Sequence, residues 1–146
     1  MSETRTTAGT LSRVAGHGRP AAPVRLVHLG LGNFFRAHQA WYTDRAPDAG
    51  EWGIAAFTGR QAELAEVLTA QEGLYTLITR AAVDDRFEVV ASLSRAHPGT
   101  DHQGWLACMA SPDVGAVTIT VTEAGYLLGA DGGLDRDRPQ VQADVE

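Results

Sequence analysis

The chain has 146 residues, enough for one domain with a sizeable core and too few for two of ordinary size. Its apolar content of 44% is that of a water-soluble globular protein, and no apolar run approaches the roughly 20 residues that a bilayer span requires. A net charge of −6 argues against the basic face of a nucleic-acid binder.

Residues 1–22 are rich in Ser, Thr, Gly, Ala and Arg, lack apolar periodicity and close on Gly18-Arg19-Pro20. They predict a flexible leader ahead of one domain over residues 23–146. Val24, Leu26, Val27 and Leu29 then form an apolar run of strand length, followed at once by Gly30-Leu31-Gly32. Such a strand turns sharply into a helix, and glycine lets the backbone reach positive φ and approach a ligand closely. The free N–H groups of the following helix make a seat for phosphate. Phe35 stands where the third glycine of GxGxxG would be, so the spacing by itself fits a structural tight turn equally well.

One helix is predicted from about Phe34 to Arg45, ended by Pro47-Asp48-Ala49-Gly50, with Trp52–Phe57 as a second, parallel strand. Thr58 is placed to cap the next helix, in which Ala62, Leu64, Ala65, Val67 and Leu68 recur at helical spacing until Gly73 stops it. Leu74–Arg80 and Arg86–Leu93 read as an antiparallel hairpin around Asp84-Asp85. Asp101–Ala110 predicts a short helix with Trp105, Leu106 and Met109 inward, and Cys108 as a buried small hydrophobe. A lone cysteine makes no internal disulfide, which fits a reducing, cytoplasmic setting. Val114–Thr122 is rich in β-branched residues, as a central parallel strand would be. Beyond Tyr126 the chain turns Gly-, Asp- and Arg-rich, and the domain reads as truncated at its carboxyl end.

This order predicts an α/β, Rossmann-type open sheet, mainly parallel, with an inserted antiparallel hairpin. Ligands bind beyond the carboxyl ends of such strands, which brings Gly30–Arg36, Phe57–Arg60 and Thr120–Tyr126 together. A dinucleotide domain selective for NAD ordinarily ends its second strand on Asp or Glu, whereas Phe57-Thr58-Gly59-Arg60 offers none. Arg60 is suited to a 2′-phosphate or to stacking on adenine, so NADP stands beside NAD. His97, Asp101, His102 and Cys108 lack the tight pairs of a zinc site, and no metal is expected.

Gly30-Leu31-Gly32-Asn33-Phe34-Phe35-Arg36-Ala37-His38, with Tyr42 and Asp44 downstream, resembles the opening signature of the mannitol dehydrogenase family, the long-chain polyol dehydrogenases and hexuronate reductases. The family usually has His where this chain has Phe35. Thr120-Val121-Thr122-Glu123-Ala124-Gly125-Tyr126 resembles its Thr-x-Thr-Glu-x-Gly-Tyr segment, which borders the nicotinamide half of the cofactor and often has Lys in place of Ala124. The resemblance implies an NAD-dependent oxidoreductase acting on a sugar alcohol of the mannitol/fructose type or a sugar acid of the mannonate/fructuronate type. It also implies a carboxyl-terminal domain, absent from these residues, that brings the catalytic lysine; all twelve basic residues here are arginine. The candidate cofactor-binding set is Gly30, Leu31, Gly32, Asn33, Phe34, Arg36, Thr58, Arg60, Thr122 and Glu123, with no catalytic residue assigned. His38 is expected in a structural or substrate-edge role. Neither a nucleic acid nor a membrane is expected as partner. A methyltransferase and a noncatalytic dinucleotide-binding module are the alternatives from other classes.

Overall fold

The structure is a computed structural model that describes residues 10–59 and 62–145. The first apolar run is strand β1 (Val24–Leu29), and the second, β2 (Gly53–Phe57), is buried at every position. Between them the predicted single helix is two, α1 (Asn33–Ala37) and α2 (Gln39–Arg45). The break falls at His38, whose backbone leaves the helical region at φ −120°, ψ −88° while its ring Nδ1 turns back to within 2.8 Å of the Phe34 carbonyl.

Helix α3 (Glu63–Ala70) buries Ala65 and Leu68 and ends before Gly73, which adopts φ +80° and returns its N–H to the Leu68 carbonyl at 2.7 Å. Thr58 is not its cap: Ala62 holds that position, and the Thr58 hydroxyl instead accepts the Gly99 N–H at 3.0 Å. The hairpin is present as β3 (Tyr75–Thr79) and β4 (Arg86–Val90), an antiparallel pair separate from the main sheet. An Arg45–Glu88 ion pair joins it to α2. The stretch predicted to continue the second arm of the hairpin instead starts a new strand, β5 (Leu93–His97), which lies parallel to β2.

Helix α4 (His102–Ala110) begins on Asp101, whose carboxylate accepts the Gly104 N–H at 2.8 Å. Trp105 and Cys108, three residues apart, face the sheet. Leu106 and Met109 lie on the adjacent stripe, 58% and 49% exposed, contrary to the inward placement expected for them. Strand β6 (Ala116–Ile119) follows, then a 3-10 turn over Glu123–Tyr126 and helix α5 (Pro139–Val145), which buries Val141.

The main sheet runs β5-β2-β1-β6 and all its pairings are parallel. Among the described residues β6 is therefore an outer strand, with Val117 and Ile119 exposed, and not the central strand its β-branched composition predicted. Side chains alternate across the sheet. Ile54, Ala56 and Leu93 meet Phe35, Ala40, Leu68, Tyr75 and Val90 on one face, while Val27, Ala55 and Phe57 meet Cys108 and Trp105 on the other.

Residues 10–22, expected within a flexible leader, lie against this frame. Arg13 donates to the carbonyls of Ala91 at 3.0 Å, Leu93 at 2.9 Å and Glu72 at 2.8 Å, and Ser12 donates to the Glu72 carboxylate at 2.8 Å. These donors hold the Glu72 carboxyl below the usual range, the Ser12 hydroxyl most of all. Arg19 pairs with Asp44 at 3.2 Å, and the same carboxylate accepts the Ala91 N–H at 3.1 Å.

Candidate functional site

The strand order reverses between β1 and β6. β2 and β5 lie to one side of β1, and the chain returns through α4 to place β6 on the other. At that point the carboxyl ends of two neighbouring strands diverge and open a crevice. Gly30–Gly32 leaves β1 on one side of it and Thr120–Thr122 leaves β6 on the other.

Gly30 has φ +107°, and a Cβ there would lie 2.8 Å from the Thr120 carbonyl oxygen. The N–H groups of Gly30 and Leu31 both donate to the Phe57 carbonyl, at 3.0 and 2.9 Å. The three stretches expected to meet therefore do so around Gly30. Gly32 differs. Its φ is −130°, and a Cβ would meet nothing closer than the Gly30 carbonyl at 3.6 Å, an ordinary contact. Among the described residues no other atom lies within 4 Å of that position. Helix α1 starts immediately after, with no side chain capping its N–H groups.

The other expected residues take distinct places. Leu31 is buried and offers its backbone only. Asn33 is exposed and accepts a hydrogen bond from the Arg36 guanidinium, whose Nε also reaches the Gly32 carbonyl at 3.4 Å. Arg36 is thus folded back over the glycine turn. Tyr75 supports it from β3: the ring lies 5.7 Å beneath the guanidinium and the hydroxyl donates to the Arg36 carbonyl at 2.7 Å. Burial pushes the Tyr75 phenol pKa up, against the opposing pull of Arg36.

Phe34 is 65% exposed and stacks on exposed His38, with ring centroids 4.3 Å apart. Thr58, at the end of β2, is turned inward, with 2% exposure and its hydroxyl engaged by Gly99. Neighbouring Gly59 is exposed, and nothing lies within 4 Å of where its Cβ would be. Arg60 lies outside the described residues. Thr122 is exposed, with its carbonyl accepting the Gly125 N–H at 2.8 Å, and Glu123 opens the 3-10 turn that follows.

A histidine not singled out from the sequence sits beneath the crevice. His28, in β1, is 2% exposed and stacked on Phe35 at 3.8 Å. Its Nδ1 lies 2.8 Å from the Thr118 hydroxyl and its Nε2 3.1 Å from that of Thr120. Burial depresses its pKa, opposed in part by the Gly30 backbone. From the sequence His28 is one polar residue inside an apolar strand, and the signal that would find it is its register opposite Thr118.

Among the described residues no group of three or more His, Cys, Asp or Glu side chains is arranged to hold a metal, and no helix is long and apolar enough to cross a membrane. On the second face of the sheet, Arg95, His97, Cys108 and Asp113 line a groove of about 390 Å³ beside α4. Burial raises the Cys108 thiol pKa and keeps it protonated. This groove lies away from the glycine turn.

The parallel order with its reversal beside a glycine turn defines one mononucleotide-binding half of a dinucleotide fold. The family model for the mannitol dehydrogenase Rossmann domain matches residues 24–145, and the chain belongs to that family. It is 38% identical over 130 residues to D-mannonate oxidoreductase of Escherichia coli (strain K12), covering 84% of this chain and 27% of that protein. Identity is 35% over 135 residues to mannitol 2-dehydrogenase of Cereibacter sphaeroides, covering 88% and 28%. Among solved structures, Pseudomonas fluorescens mannitol 2-dehydrogenase, in a ternary complex with NAD and D-mannitol, superposes with a TM-score of 0.71 at 32% identity, over 85% of this chain and 27% of that one. The chain thus spans little more than a quarter of the length of these relatives.

Proposed function

We propose that residues 23–146 are the dinucleotide-binding domain of an NAD-dependent oxidoreductase that interconverts a secondary alcohol and a ketone on a sugar alcohol or sugar acid. The observation that carries this is Gly32. The fold would accept a Cβ there, with the Gly30 carbonyl at an ordinary 3.6 Å, yet the position stands directly beyond the strand end where a pyrophosphate would meet backbone. Family membership supplies the substrate class, since the relatives include both a mannonate oxidoreductase and mannitol 2-dehydrogenases.

In this reading Gly30 and Leu31, their own N–H groups held by the Phe57 carbonyl, shape the turn, the backbone N–H groups of Gly32, Asn33 and Phe34 seat the pyrophosphate, and the Arg36 guanidinium adds charged donors at its flank. Asn33 and Tyr75 hold that guanidinium in place. Thr58, Gly59 and Arg60 border the adenosine ribose, and Thr122 and Glu123 border the nicotinamide. When bound, the nicotinamide supplies or accepts the hydride. The proton donor and most substrate contacts come from a carboxyl-terminal catalytic domain, in keeping with a chain that contains no lysine.

Titration of the chain with NADH, with S-adenosylmethionine in a parallel experiment, tests the class. Binding of NADH in preference to S-adenosylmethionine is expected. The reverse preference would replace the reading with a methyltransferase.

A further inference from the structure

We infer that His28 is a positioning residue for the nucleotide crevice: it ties Thr120, the first residue beyond β6, to β1 and so fixes the wall that faces the glycine turn. This inference rests on the dinucleotide reading above.

With the Gln39 amide oxygen turned to Thr118, the proton count along the contacts is fixed. Thr118 Oγ1 lies 3.1 Å from Gln39 Oε1 and 3.4 Å from the Val27 carbonyl, both of which only accept. Its hydrogen is committed there, so its oxygen accepts from the ring and His28 Nδ1 carries the proton. Since burial keeps the ring neutral, Nε2 presents a lone pair and the Thr120 hydroxyl donates to it. Phe35 covers the ring at an interplanar angle of 10°. Gln39 from α2, Phe35 from α1, Thr118 and Thr120 thus lock one tautomer in one orientation.

The two threonines stand in different places. Thr118 lies inside the β1–β6 ladder, opposite His28 itself, where backbone pairing already holds the strands. Thr120 lies just beyond the ladder. Its N–H makes a last bond to the Leu29 carbonyl at 2.9 Å, and its own carbonyl stands 2.8 Å from where a Gly30 Cβ would be. The bond from His28 is therefore placed to orient the crevice wall at its root. A purely structural histidine would use both hydroxyls alike. A positioning histidine makes nucleotide binding most sensitive to the Thr120 side.

The test uses the 146-residue chain, NADH titrations followed by NMR, and the near-isosteric variants Thr118→Val and Thr120→Val with Thr120→Ser as the conservative control. Loss of this part-buried hydrogen bond at the crevice should weaken NADH binding about tenfold in Thr120→Val. Thr120→Ser, which keeps the hydroxyl, should restore it to within about twofold, and Thr118→Val, which removes the acceptor of the Nδ1 proton but leaves the residue held by the ladder, should cost clearly less than Thr120→Val. Unchanged affinity in Thr120→Val, or equal losses in both valine variants, would overturn the inference. The wild-type imidazole gives a reading that needs no variant: nitrogen-15 spectra should show neutral His28 protonated at Nδ1, with an Nε2 signal that moves when NADH is added. Protonation at Nε2 instead, or an Nε2 signal indifferent to NADH, would also overturn it. Failure of the wild-type chain to bind NADH at all would defeat the dinucleotide reading itself, a result distinct from any difference among the variants.

Discussion

At Gly30 the backbone stands at φ +107° with the Thr120 carbonyl 2.8 Å from the place of a Cβ, so conformation and space both exclude a side chain. Gly30→Ala should destabilise the fold by about 2 kcal/mol or more, read as a lowered denaturant midpoint. Two residues on, Gly32 meets neither restriction, and its substitution should leave stability nearly untouched. The sequence shows both glycines as equals, because only the third dimension tells which is needed by the fold and which by a ligand. His28 adds a pH dependence. Its folded pKa lies below its ordinary value of about 6.5, so the unfolded chain takes up the proton first and stability falls as pH drops below about 6.5. The carboxyl groups held low, Glu72 and Asp101, lose their contribution only at lower pH, beneath their own ordinary values. Thermal unfolding between pH 7 and pH 5 should therefore show a decline that His28→Gln flattens.

Among the elements, those with clean apolar periodicity were legible in the sequence: β1, β2, α3, the hairpin strands and the position of α4. Strand β5 was not. Its Ser94, Arg95 and His97 interrupt the alternation, and what makes Leu93–His97 a strand is its parallel pairing with β2, a contact that local pattern does not carry. The break at His38 was hidden too, because it depends on an imidazole returning to its own helix. Residues 10–22 were read as leader for want of periodicity, yet Arg13 fastens them through the carbonyls of Glu72, Ala91 and Leu93. Arg13→Ala should cost about 2 to 4 kcal/mol in chemical denaturation, since it leaves those carbonyls without their charged donor. At the end of β2 Thr58 faces inward, whereas the side-chain position of Gly59 is open. Gly59→Asp should favour NADH over NADPH by about tenfold relative to wild type, through repulsion of the 2′-phosphate, in paired binding titrations. No change in that ratio would put the ribose elsewhere.

At the scale of the whole molecule, the fold was legible because the order of elements nearly dictates a doubly wound sheet, and the place of the glycine turn, at the reversal of strand order, followed from that order. The chain spans 27% and 28% of the lengths of its mannonate and mannitol relatives. It carries no lysine. Reduction of a ketone needs a proton donor within about 3 Å of the carbonyl oxygen and an enclosure that excludes water. The purified 146-residue chain should therefore bind NADH weakly and show no NADH oxidation with fructose or fructuronate. Turnover that disappears with Gly32→Val would place the proton donor within these residues. The central claim, that the empty side-chain position at Gly32 is reserved for a dinucleotide, is met most directly by calorimetric NADH titration of wild type and Gly32→Val, each with its thermal midpoint recorded. The account predicts at least about a tenfold loss of affinity with an unchanged midpoint; equal affinity in a folded Gly32→Val chain would contradict it.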